Sequence, residues 1–157
     1  MTQQYLQLDH DNRPWINFLV LRFVPSSADF GLLMLRLMVG LSLFLKHGWE
    51  KPTTFAMMAA HFPDPIHIGA VPSLVFALIS DAICSVLVML GLATRWAALI
   101  VVINIGVAWS LFHHFIFFAR PQGDHGELCL LYISVFLALL VTGAGRYSLD
   151  ELIARRH

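Results

Sequence analysis

The groups able to do chemistry in this chain stand inside apolar stretches or at their mouths. Arg36 and Asp81 each interrupt a run of aliphatic residues, and Glu127 opens another. Six histidines, His47, His61, His67, His113, His114 and His125, fall at or beyond the ends of such runs. A charge at the centre of a bilayer costs at least ~2.5 kcal/mol on insertion scales, so it persists where it is paired or where it works. Imidazole titrates near neutral pH and can pass protons to or from a small molecule. Together with a carboxylate it also suits copper, zinc, iron or nickel.

The elements that must position these groups follow from composition. Of 157 residues, 58% are hydrophobic and 13% are charged. Soluble domains carry about 25% charged residues, and the mean hydropathy here is +0.72, so the expected solvent is lipid. Basic and acidic residues balance at ten each. That removes nucleic acid as a partner, because such a partner needs a basic face. The first residues are polar, without the basic and apolar regions of a signal peptide.

Taken in order, residues 1–28 read as a polar tail and an interfacial segment. Asn12 and Pro14 start that segment, Trp15, Phe18 and Phe23 lie in it, and Pro25 ends it. Ser26-Ser27-Ala28-Asp29 resembles a capping box. A spanning helix needs ~20 residues, and four runs approach that length: 29–46, 72–92, 95–118 and 127–142. The connection over 48–71 is long. It holds Glu50, Lys51, His61, Asp64 and His67 with prolines 52, 63 and 65. Ser148-Leu149-Asp150-Glu151 is a second capping box, opening an amphipathic tail over 147–157. The expected fold is all-α: a polytopic membrane protein whose domain, 29–146, is an antiparallel four-helix bundle. Arg13, Arg22, Arg95, Arg146, Arg155 and Arg156 fall on the side of the termini, against Lys46, Lys51 and Arg120 on the other. The positive-inside rule then puts both termini in the cytoplasm.

Several short pieces recur in an order that resembles the DoxX family of small four-helix membrane proteins. They are Leu35-Arg36 with Gly40, His47-Gly48, Lys51 with Phe55, Asp81, Gly91-Leu92-Ala93-Thr94-Arg95 with Ala97-Ala98, Gly126-Glu127-Leu128, and Gly145-Arg146-Tyr147-Ser148-Leu149-Asp150. The acid of the second helix is more often glutamate in the family, and His125-Gly126 stands where Gly-Gly is common. The resemblance implies a redox context in a bacterial inner membrane. One related subunit type belongs to a thiosulfate:quinone oxidoreductase, and others accompany oxidative-stress or sulfur enzymes.

At a rise of ~1.5 Å per residue, Arg36 and Asp81 fall near the midpoints of their helices, so an Arg36–Asp81 ion pair is expected. It either fixes helix register, or serves as a proton relay or a polar wall of a ligand cavity. His47, one of His113 and His114, and Glu127 fall at about one level. Three readings of that cluster stay open. It binds headgroups and loops only, it lines a site for a quinone or other small redox molecule, or it holds a metal or haem through His47, His113, His114 and His125. Glu127 is alternatively a helix-start anchor, favoured by the dipole. Asn104, in mid-helix, is expected to hydrogen-bond across helices. Cys84 and Cys129 differ in depth by about 10 Å, too far for a disulfide. The function classes are a quinone-linked redox protein, a copper or haem protein, and a non-catalytic anchor for a partner oxidoreductase subunit. The bilayer is the first expected partner, with a second copy of the chain or that subunit as further ones.

Overall fold

The computed structural model describes residues 27–64, 67–112 and 126–156, and every regular element among them is helical. The elements are α1 (Ala28–Thr53), α2 (Phe55–Ala59), α3 (Ala70–Leu90), α4 (Thr94–Leu111), α5 (Gly126–Thr142) and α6 (Leu149–Ala154). Helices α1, α3 and α4 are long and apolar enough to cross a bilayer. Helix α5, at 17 residues, reaches ~25 Å at ~1.5 Å per residue, a little under the ~30 Å hydrocarbon thickness. The protein is an integral membrane protein. The expected interfacial segment before Ser27 lies outside the described residues.

Local chemistry sets the ends. Ser27 Oγ accepts from Phe30 N at 3.2 Å, starting α1, and Ser148 Oγ accepts from Glu151 N at 3.2 Å, starting α6. The far end of α1 differs from the expectation. Lys46, His47 and Gly48 do not stop it. The backbone passes through a π-helical turn, Phe44–Gly48, and resumes over Glu50–Thr53. The Thr53 hydroxyl donates back to Glu50 O at 2.8 Å and that of Thr54 does the same at 2.8 Å, closing the last turn. Much of the expected loop is therefore helix.

Helices α1 and α3 run antiparallel: Gly40 lies against Ser85 and Met89, and Gly48 against Asp81 and Ala82. Helix α4 packs on α5 through a core that includes Ala97, Ala98, Val101, Phe136 and Leu139. Small residues there let the backbones approach, which is how apolar helices associate in lipid.

The Arg36–Asp81 pair does not form. Arg36 is fully buried, and its Nη2 donates to Tyr147 O at 2.6 Å and its Nη1 to Val88 O at 3.4 Å. The reason is register. With α1 carried on to Thr53, Arg36 lies in its first half, level with the end of α3. Val88 is seven residues beyond Asp81, ~10 Å along the helix. Asp150 completes this latch. Its carboxylate accepts from Ala93 N at 2.7 Å and Thr94 N at 3.0 Å, capping α4 from another segment, and its own N–H donates to Gly91 O at 2.8 Å. Gly91 has φ 68°, and a Cβ there would run into the Arg36 guanidinium.

Glycine contact gives a controlled test. A Cβ at Gly48 would lie 2.5 Å from Asp81 O, whereas one at Gly31 meets nothing within 4 Å. Gly31→Ala is expected to raise stability by roughly 0.5–1 kcal/mol through helix propensity. Gly48→Ala is expected to lower it by roughly 1–3 kcal/mol through overpacking. Thermal unfolding of the two variants in one detergent checks both signs.

Candidate functional site

The extension of α1 matters because it brings Lys51 inside. Lys51 Nζ donates to Asp81 Oδ2 at 2.6 Å, with side-chain exposures of 10% and 8%, so the pair is buried. Lys51 also donates to His47 O at 3.1 Å, and Asn104 Nδ2 donates to Asp81 Oδ1 at 3.1 Å. Both carboxylate oxygens are thereby engaged. Burying two charges costs several kcal/mol per ion, and mutual attraction offsets this only when geometry is good and the remaining polar atoms are bonded. Here one cation, one anion and one amide supply those conditions.

Three π-helical turns surround this network. Phe44–Gly48 carries Lys46 and His47, Ile79–Cys84 carries Asp81, and Ala108–Phe112 begins at a residue lining the same space. Such turns leave backbone carbonyls without regular partners and gather at functional sites. The Ser85 hydroxyl donates to the carbonyls of Asp81 at 2.7 Å and Ala82 at 2.9 Å, taking up two of them.

Beside the network lies a cavity of about 580 Å³. Its apolar lining includes Leu43, Phe76, Ala77, Ile103 and Tyr132, and its polar lining includes His47, Lys51, Asp81 and Asn104. An apolar chamber with a few convergent polar groups is the usual form of a small-molecule site. Phe62, Pro63 and Ile68 line it from the α2–α3 connection. Asp64 organises that connection by accepting from Gly69 N at 2.7 Å, Ser73 Oγ at 2.9 Å and Ile68 N at 3.0 Å. Desolvation pushes the Asp64 carboxyl up. The hydrogen bonds from Gly69, Ser73 and Ile68, with His67 nearby, pull it down further, so it lies below its ordinary 3.8.

Of the residues singled out in the sequence, His47 and Asp81 meet at this cavity, and His47 is half-buried there. Arg36 belongs to the latch at the other end. Glu127 is exposed in the first turn of α5 and does not line the cavity, although Leu128 and Cys129 do. His113, His114 and His125 lie outside the described residues. Among the described residues no three His, Cys, Asp or Glu side chains gather to hold a metal. Asn104 makes its interhelical bond, with Asp81 as partner. Both cysteines are free. Lys51 is the candidate-site residue that charge spacing missed. The signal was its place four residues after His47, one helical turn on.

A family model described as DoxX matches residues 31–114. Two proteins of Haemophilus influenzae, each described as uncharacterized, are similar to the chain. One is 33% identical over 115 residues, covering 68% of this chain and 71% of its own length. The other is 35% identical over 119 residues, covering 69% and 81%. No solved structure matches.

Two outcomes follow from the site's electrostatics. Lys51→Met or Asp81→Asn alone strands a buried charge and should cost roughly 3–5 kcal/mol. The double variant should recover much of this, and a coupling energy near zero in the thermal-unfolding cycle would contradict the pair. For Asp64, a depressed carboxylate stabilises the fold above its unfolded value, and that contribution is lost as pH falls through the folded one. The stability advantage of the native protein over Asp64→Ala should therefore be full near neutral pH and shrink below about pH 4. Thermal midpoints of both proteins from pH 6 to pH 3 measure it.

Proposed function

The chain belongs to the DoxX family, and we propose that it serves a redox system of a bacterial inner membrane by holding a quinone or similar small redox molecule in the cavity beside Lys51–Asp81. The observation that carries this reading is the cavity itself: apolar walls within the membrane-spanning helices, with His47, Lys51, Asp81 and Asn104 in its lining. A quinone ring has the same division, an apolar body with oxygen acceptors. The ammonium of Lys51 and the imidazole of His47 are groups that can meet such oxygens, and His47 can exchange a proton with them. With both termini in the cytoplasm, as the distribution of basic residues favours, the cavity opens toward the non-cytoplasmic half of the bilayer. It is then far from the latch of Arg36 and Asp150.

The test is equilibrium binding of a short-chain benzoquinone to the full chain in lipid nanodiscs. Saturable binding near one per chain is expected. His47→Ala should weaken it about tenfold, the scale of one hydrogen bond to a ligand. Glu151→Gln, on exposed α6, should not change it. Absence of saturable binding to the native chain would overturn the reading and move the role of membrane anchor for a partner oxidoreductase subunit, or of one copy in a homo-oligomer, to first place.

A further inference from the structure

The hydrogen-bond inventory of the cavity says more than that something binds there. Asp81 is held by Lys51 and Asn104, one on each oxygen. A carboxylate can only accept, so Asn104 must turn its amide NH₂ toward Asp81. Its Oδ1 cannot exchange places with Nδ2 without setting two acceptors against each other. That oxygen, on a half-buried residue lining the cavity, receives no hydrogen bond from any described residue. Asn104 thus keeps one N–H beyond the one given to Asp81, and its Oδ1 is an acceptor with no described donor.

Lys51 is the complement. An ammonium has three N–H donors. One goes to Asp81 Oδ2 and one to His47 O, and the third is left over on a side chain that lines the same cavity. The lining thus presents N–H donors on Lys51 and Asn104 and one fixed acceptor, Asn104 Oδ1, all anchored to one carboxylate.

We propose that this arrangement selects a ligand whose polar end carries a hydroxyl donor as well as an oxygen acceptor, so that the reduced, hydroxyl-bearing form of a quinone-type ring binds more tightly than the oxidised form. The inference rests on the proposed cavity ligand and adds its oxidation state. A quinone carbonyl accepts from Lys51, or from the remaining Asn104 N–H, but leaves Asn104 Oδ1 without a donor. A quinol hydroxyl donates to Asn104 while its oxygen accepts from Lys51. Sites built to bond a ligand hydroxyl discriminate strongly against analogues that lack it, because the buried partner is left unpaired. For one half-buried acceptor the expected ratio is about tenfold.

The experiment compares three ligands on the native full chain in nanodiscs under anaerobic conditions, by isothermal titration: a decyl-chained benzoquinol, its quinone and its dimethyl ether. The ether keeps the reduced ring and removes the donors, separating hydrogen bonding from oxidation state. The quinol is expected to bind about tenfold tighter than both others. Asn104→Leu, verified as folded by its thermal transition, is expected to erase that preference. Saturable binding with equal or weaker affinity for the quinol would overturn the inference while leaving the cavity reading in place. If none of the three binds, both fall.

Discussion

A lysine and an aspartate buried together between membrane-spanning helices set the terms for the rest of this protein. Lys51 and Asp81 come from different helices, 2.6 Å apart, and neither charge is tolerable in lipid without the other. Their meeting requires α1 to continue past Gly48 instead of ending at Lys46. It requires a glycine at 48, because any side chain there would strike the backbone at Asp81. It also requires Asn104 from α4 to engage the second carboxylate oxygen. Three helices are fixed at one level by one carboxylate. The π-helical turns beside it are the backbone adjustments that aim Asp81 and His47 at the same space.

A second polar cluster fixes the opposite end. Arg36 reaches two backbone carbonyls, and Asp150 caps α4 while tying the first turn of α6 to the turn at Gly91. Most of the polar pieces that carry the family resemblance divide between these clusters. Gly91–Arg95 and Gly145–Asp150 supply the latch with Arg36. His47-Gly48, Lys51 and Asp81 supply the cavity. The resemblance thus tracks two places where the chain must bury polarity, and it separates a structural end from an end with room for a ligand.

The apolar runs made the helices legible, because lipid demands long uncharged segments and the chain has few charges to misplace. Ser148 is legible as a cap from its capping box, and Ser26-Ser27-Ala28-Asp29 marks the start of α1, although the serine that caps it is Ser27. Asn104 is legible as an interhelical hydrogen-bonding group, and the structure makes it the donor. The end of α1 was not. Lys46, His47 and Gly48 form a polar triplet that reads as a stop, and only the tertiary contact of Gly48 with Asp81 reveals a continuing helix. That displacement misassigned the ion pair, because depth counted from a short helix puts Arg36 level with Asp81. The correct cation, Lys51, carries a family match, but a helix ended at Lys46 leaves it in a loop. Glu127, at the mouth of α5, was read toward the site by level alone, and level does not fix which way a side chain faces.

The most direct test of the account is photoaffinity labelling of the full chain in nanodiscs with an azido-benzoquinone, followed by mass spectrometry of its peptides. A ligand site beside Lys51–Asp81 predicts label on residues that line the cavity, in the segments around His47, Asn104 and Tyr132. Excess unlabelled short-chain quinol should abolish it. Label confined to the latch around Arg36 and Asp150, or spread over the lipid-facing surface without competition, would contradict a ligand site beside Lys51–Asp81.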